Sequence, residues 1–111
     1  MRSASTVSIA LLGAVLALAP GCKRGTKMVR CSELRGRFAA ELSKQSGSCS
    51  TDADCACHGA EGGGCGGVTD AETARRLEPI AKEFHAAGCN YEVQCAAWMC
   101  SPKCVSGRCS Q

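Results

Sequence analysis

Eleven cysteines in 111 residues limit what this chain can fold into more than any other feature does. Such a density belongs to short exported domains, whose small apolar cores are stapled by disulfides formed in an oxidising compartment. An odd count leaves one thiol over. Cys22 is the cysteine whose surroundings differ, because in VLALAPGCKRG it follows an apolar run and precedes a basic one. The other ten are Cys31, Cys49, Cys55, Cys57, Cys65, Cys89, Cys95, Cys100, Cys104 and Cys109, an even set able to close five disulfides. Ten cysteines allow roughly 945 pairings, and the sequence selects none of them.

Upstream of Cys22, residues 7–19 read VSIALLGAVLALA, behind one positive charge at Arg2. A helix needs about 20 apolar residues to cross a bilayer, whereas a run of roughly 10 to 14 reads as a signal-peptide core. Polar residues do not recur along it every three or four positions, which sets aside an amphipathic core helix. Leu18-Ala19-Pro20-Gly21-Cys22 resembles the lipobox of bacterial lipoproteins, with Leu18 one position early and Pro20 at the second site. The resemblance implies a diacylglycerol on Cys22, which becomes the first residue of the mature chain. Taking Cys22 out of the thiol pool makes the remaining count even, an independent argument for the same reading. The expected organisation is a signal peptide over residues 1–21, a lipid-anchored basic tether over 22–30 and a disulfide-rich domain over 31–111. The expected location is the bacterial cell envelope, facing the periplasm or the cell surface; simple secretion of a soluble protein is the alternative.

With 13 basic and 10 acidic residues, the charge balance gives a nucleic-acid partner no support. Lys23, Arg24, Lys27 and Arg30 cluster behind Cys22, where each would gain about 1 kcal/mol on anionic headgroups. The same cluster also reads as a solvated basic linker. Asp52, Asp54, Glu61, Asp70 and Glu72 make the stretch 52–72 acidic, which attracts cations or simply keeps a surface soluble.

Large apolar residues past Cys22 are few, and the 45% hydrophobic content is inflated by the leader and by cysteine itself. Cys31, Leu34, Phe38 and Leu42 recur at three- and four-residue steps, predicting an amphipathic helix over residues 28–45 that ends near Gly47. Residues 48–67 hold turn formers and four cysteines and predict an irregular, pinned loop. Thr69-Asp70-Ala71-Glu72 reads as a capping box opening a second helix, with Leu77, Ile80, Ala81 and Phe84 on its buried stripe. Pro79 should kink or divide that helix, and Gly88 should close it. The tail, 91–110, reads as short strands, with a hairpin turning at Ser106-Gly107 and placing Cys104 opposite Cys109. The expected fold is a small disulfide-rich α+β domain, two helices with a short C-terminal antiparallel hairpin or sheet.

Chemistry is less legible. Cys55-Ala56-Cys57-His58 brings two sulfurs and an imidazole close enough to share a soft metal such as copper or zinc. Against it stand the export signal, the even residual count and the lack of any C-x-x-C pair. Gly62-Gly63-Gly64-Cys65-Gly66-Gly67 matches G-x-G-x-x-G without a predicted strand before it, so a loop passing close to disulfides is the better account. His85 reads as a surface residue, and Tyr91 and Trp98 as packing or as a partner's anchor. No nucleophile with a motif-defined base stands out, so neither an enzyme nor a cofactor is expected. The layout CSTDADC, CGGV, helix, then CVSGRC is similar to that of small cysteine-rich exported proteins of bacteria, many of them lipoproteins. That resemblance implies fold and location, with no catalytic residues to carry over. The expected role is recognition or structural work in the envelope, with the membrane as one partner and an envelope protein as another. Soft-metal binding at Cys55, Cys57 and His58 is one alternative, and a small secreted protease inhibitor is the other.

Overall fold

The computed structural model describes residues 23–96 and 99–111; Cys22, the leader and Trp98 lie outside them. In chain order the elements are α1 (Lys23–Ser43), a short 3-10 turn (Asp52–Asp54), β1 (Cys55–His58), β2 (Gly67–Asp70), α2 (Ala71–Ala86), β3 (Lys103–Val105) and β4 (Arg108–Ser110). This is a small disulfide-rich α+β fold with two helices and two antiparallel hairpins, β1–β2 and β3–β4.

The core follows the helical periodicities. Leu34 and Phe38 from α1 meet Leu77, Ile80 and Phe84 from α2, and all five are buried. Above this cluster Cys31, itself buried, is bonded to Cys89 just past the end of α2. Ion pairs cross the same helix interface on its wet side, Arg37 to Glu83 at 2.9 Å and Arg76 to Glu41 at 2.8 Å. Both pairs are open to solvent screening, so they help set helix register more than they hold the fold together.

Four details depart from the sequence reading. First, α1 begins at Lys23, so the basic residues read as a tether continue the helix. Lysine, arginine and methionine are good helix formers, and Gly25 alone costs only about 1 kcal/mol. Second, the stretch 48–67 holds a strand within its loops, since β1 pairs Cys55 with Asp70, Ala56 with Thr69, Cys57 with Val68 and His58 with Gly67. Third, Pro79 does not divide α2; it sits on the exposed side, where the carbonyl that loses its amide partner can turn to water. Fourth, among the described residues strand structure in the tail is confined to β3 and β4. The Ser106-Gly107 turn has positive φ at both residues, 52° and 76°, the geometry a tight two-residue hairpin requires. Gly88, at φ 70°, ends α2 as expected: its amide bonds to the His85 carbonyl while the Cys89 amide reaches the Phe84 carbonyl.

The start of α2 is capped by Asp70 rather than Thr69. β2 runs through Thr69, whose buried hydroxyl donates to Gln45 Oε1 at 2.7 Å, so the helix opens one residue later. Asp70 is 7% exposed and accepts from the Thr73 amide and hydroxyl, both at 2.9 Å, and from the Gly47 amide at 3.2 Å. Burial opposes its charge, but these donors outweigh burial and bring its pKa from 3.8 to about 2. The folded state therefore holds the proton more weakly than the unfolded chain, and the resulting stability is present above about pH 4. As pH falls toward 2, up to about 2 kcal/mol should be lost. Denaturant titrations from neutral to acid pH should show this loss, and Asp70→Asn, which retains an acceptor but no charge, should flatten it. An unchanged acid limb in the variant would assign the loss to other carboxylates.

Candidate functional site

The ten cysteines of the described chain close five disulfides: Cys31–Cys89, Cys49–Cys104, Cys55–Cys109, Cys57–Cys100 and Cys65–Cys95. Four of the five run from the segment 49–65 to the segment 95–109, so the C-terminal tail is sewn onto the first hairpin and its loop. The C-terminal hairpin does place Cys104 opposite Cys109, yet each bonds away from the other, into residues of the first hairpin region.

In this structure that pairing leaves neither sulfur of the Cys55, Cys57 and His58 set as a free thiol. Metals bind the thiolate, and both sulfurs here are committed to Cys109 and Cys100. Alternation along β1 also puts His58 on the opposite face from the two cysteines. The His58 ring instead lies 6.2 Å from that of Phe38, with Nδ1 2.9 Å from the Gly59 carbonyl. A second sulfur group, Cys49, Cys55 and Cys109, has its Sγ atoms within 4.8 Å of one another because two disulfides pass side by side.

The glycine run is structural. It joins strand β1 to strand β2, so no helix N-terminus follows it to hold a phosphate. Close approach is what it permits: a Cβ on Gly62 would lie 2.9 Å from Phe38 Cδ1, and just before the run one on Gly59 would overlap the carboxylate of Glu61.

Glu61, which the sequence reading noted only as one acidic charge among five, is the most unusual polar group of the described residues. It is 5% exposed, and its Oε2 is buried with no hydrogen-bond partner. Oε1 accepts from His85 Nε2 at 3.1 Å. The His85 ring stands edge-on to Phe84 and to Tyr91, while Tyr91 stacks on Phe84 with centroids 6.0 Å apart. Burial against this cluster, and then the nearby Glu61 charge, raise the Tyr91 phenol above its usual pKa. Nothing in the local pattern GAEGGG announces a buried carboxylate; the signal is tertiary, a helix histidine placed over a loop.

Glu61 also lines a groove of about 440 Å³ between β1 and α2, floored by Phe38 and Leu77. A site of this size accommodates a small ligand or a few residues of peptide. Comparison with family models, with curated proteins and with solved structures returns no match for this chain.

Proposed function

We propose that the protein is a non-catalytic recognition or scaffolding domain of the bacterial envelope, held at a membrane through a lipid on Cys22. The observation that carries this reading is the closed pairing of the ten cysteines from Cys31 onward, which leaves Cys22 no intramolecular thiol to pair with. An exported protein with one such cysteine next to an apolar leader has a use for it as an anchor. Among the described residues no helix is long and apolar enough to cross a membrane. Attachment through the lipid is compatible with that, and one acyl-bearing residue backed by basic charge gives the two signals that stable anchoring needs. Lys27 and Arg30 are exposed on the first turns of α1, next in sequence to the anchor, where anionic headgroups would hold them. A non-catalytic role is supported by the cysteines, since every one in the described residues is oxidised and none offers a thiolate nucleophile.

Intact mass of the protein from its native membrane fraction, with and without reduction and alkylation, tests the reading. The expected result is a diacylglycerol-sized addition at Cys22, with all ten framework thiols alkylated only after reduction. A lipid-free chain whose Cys22 alkylates without reduction would remove the anchor and leave a secreted soluble protein.

A further inference from the structure

Two of the five disulfides meet at one place. Cys49–Cys104 and Cys55–Cys109 both join the C-terminal hairpin to the segment that leads into β1. The Sγ atoms of Cys49, Cys55 and Cys109 lie within 4.8 Å of one another, and Cys104 is bonded to the first of them. The backbone makes this convergence. Cys104 stands opposite Cys109 in the β3–β4 register, so their side chains leave the same face of the hairpin. Neither amide is used inside the hairpin: the Cys104 N–H donates to Asp52 Oδ1 at 2.7 Å, and the Cys109 N–H to the Gly47 carbonyl at 2.8 Å. They are thus the non-hydrogen-bonded pair nearest the turn, where opposed side chains come closest. Cα atoms about 4.5 Å apart at such a pair fall inside the range a disulfide spans. Cys49 and Cys55 lie on either side of the 3-10 turn at Asp52–Asp54, which folds their segment back so that their sulfurs meet. The same fold therefore offers these four sulfurs a second complete pairing, Cys49 with Cys55 and Cys104 with Cys109.

We propose that the four form a thiol–disulfide exchange site: a thiolate from solution converts the observed pairing into the second one and so releases the C-terminal hairpin from the first. Cys104 is partly open to solvent. The thiolate attacks Cys104 Sγ, forms a mixed disulfide there and expels Cys49 as a thiolate. Cys49 then attacks Cys55 Sγ; the Cys49–Cys55 bond forms, the Cys55–Cys109 bond breaks, and Cys109 leaves as a thiolate. Cys109 attacks Cys104 Sγ across the hairpin, closes Cys104–Cys109 and returns the original thiolate. Five disulfides stand before and after, so no oxidant or reductant is consumed. In the product Cys57–Cys100 and Cys65–Cys95 still hold the tail ahead of β3, while β3 and β4 lose both covalent ties to the segment 49–55. The exchange involves neither Cys22 nor a membrane.

The test incubates the full disulfide-bonded chain, purified in detergent, with a substoichiometric amount of reduced glutathione, followed by acid quenching, alkylation and disulfide mapping by mass spectrometry. Trypsin cuts after Lys103 and Arg108, and an aspartate-directed protease cuts before Asp52, so every bond among the four cysteines is identified separately. The expected result is that Cys49–Cys55 and Cys104–Cys109 appear together, in at least a tenth of the molecules, with Cys31–Cys89, Cys57–Cys100 and Cys65–Cys95 unchanged. In that isomer the amides of Cys49 and Cys109, which bond to the Gly107 and Gly47 carbonyls, should exchange hydrogen at least tenfold faster. A pairing that stays as found, or scrambling that draws in the other six cysteines at the same rate, would overturn the site. An isomer whose two amides remain as protected as before would overturn the release of the hairpin.

Discussion

Complete reduction of the five disulfides, without denaturant, is expected to unfold the protein and abolish most of its helical circular dichroism. The bonds close loops separated by 30 to 58 residues in sequence, and the chain-entropy model assigns about 4 kcal/mol to a loop of that size. Nested loops do not add fully, but even half of that across five bonds, about 10 kcal/mol, is as large as the whole net stability of an ordinary small domain, about 5–15 kcal/mol. The opposing resource is thin, with five apolar side chains contributing about 1.5–3 kcal/mol each. The order of loss should follow access. Cys65–Cys95, exposed at both ends, should be reduced first, whereas Cys31–Cys89 and Cys55–Cys109, each with a buried member, should be last. Stepwise alkylation with peptide mapping measures that order, and circular dichroism follows the helices. A fully reduced chain that kept its helices would mean that the α1–α2 core stands alone and that the disulfides merely decorate it.

The helical half of this fold was readable because the apolar residues fall on one stripe of each helix: Leu34 and Phe38 in α1, and Leu77, Ile80 and Phe84 in α2. The C-terminal hairpin was readable from Ser106-Gly107, whose backbone does what a two-residue turn demands. The first hairpin was hidden, because Cys-Ala-Cys-His lacks the β-branched alternation that marks a strand; its register comes from Val68 and Thr69 and from bonds to a distant tail. For the same reason Thr69 looked like a cap and is a strand residue. The pairing itself is a three-dimensional fact that spacing could not reveal. So is the burial of Glu61, which depends on His85 arriving from another element and on glycines that let the loop close down.

Of all single side chains, Phe84 should cost the most when truncated. It is fully buried, packs among Leu34, Phe38, Leu77 and Ile80, and carries the Arg35 guanidinium 5.6 Å above its ring. Phe84→Ala is expected to lose about 3–5 kcal/mol in denaturant unfolding with the disulfides intact, from lost burial and an unfilled cavity. Phe38→Ala should lose a comparable amount, so stability alone does not separate the two. Tyr91 does, because it stacks on Phe84 and is the chain's single tyrosine, so phenolate absorbance reports it directly. Removing the Phe84 ring uncovers one face of the phenol and should return its raised pKa toward 10, whereas Phe38→Ala should leave the titration where it was. If both variants moved the tyrosine equally, the loss would be a general loosening of the domain. If only Phe84→Ala did, the helix core and the Glu61–His85–Tyr91 cluster would be joined through that one ring.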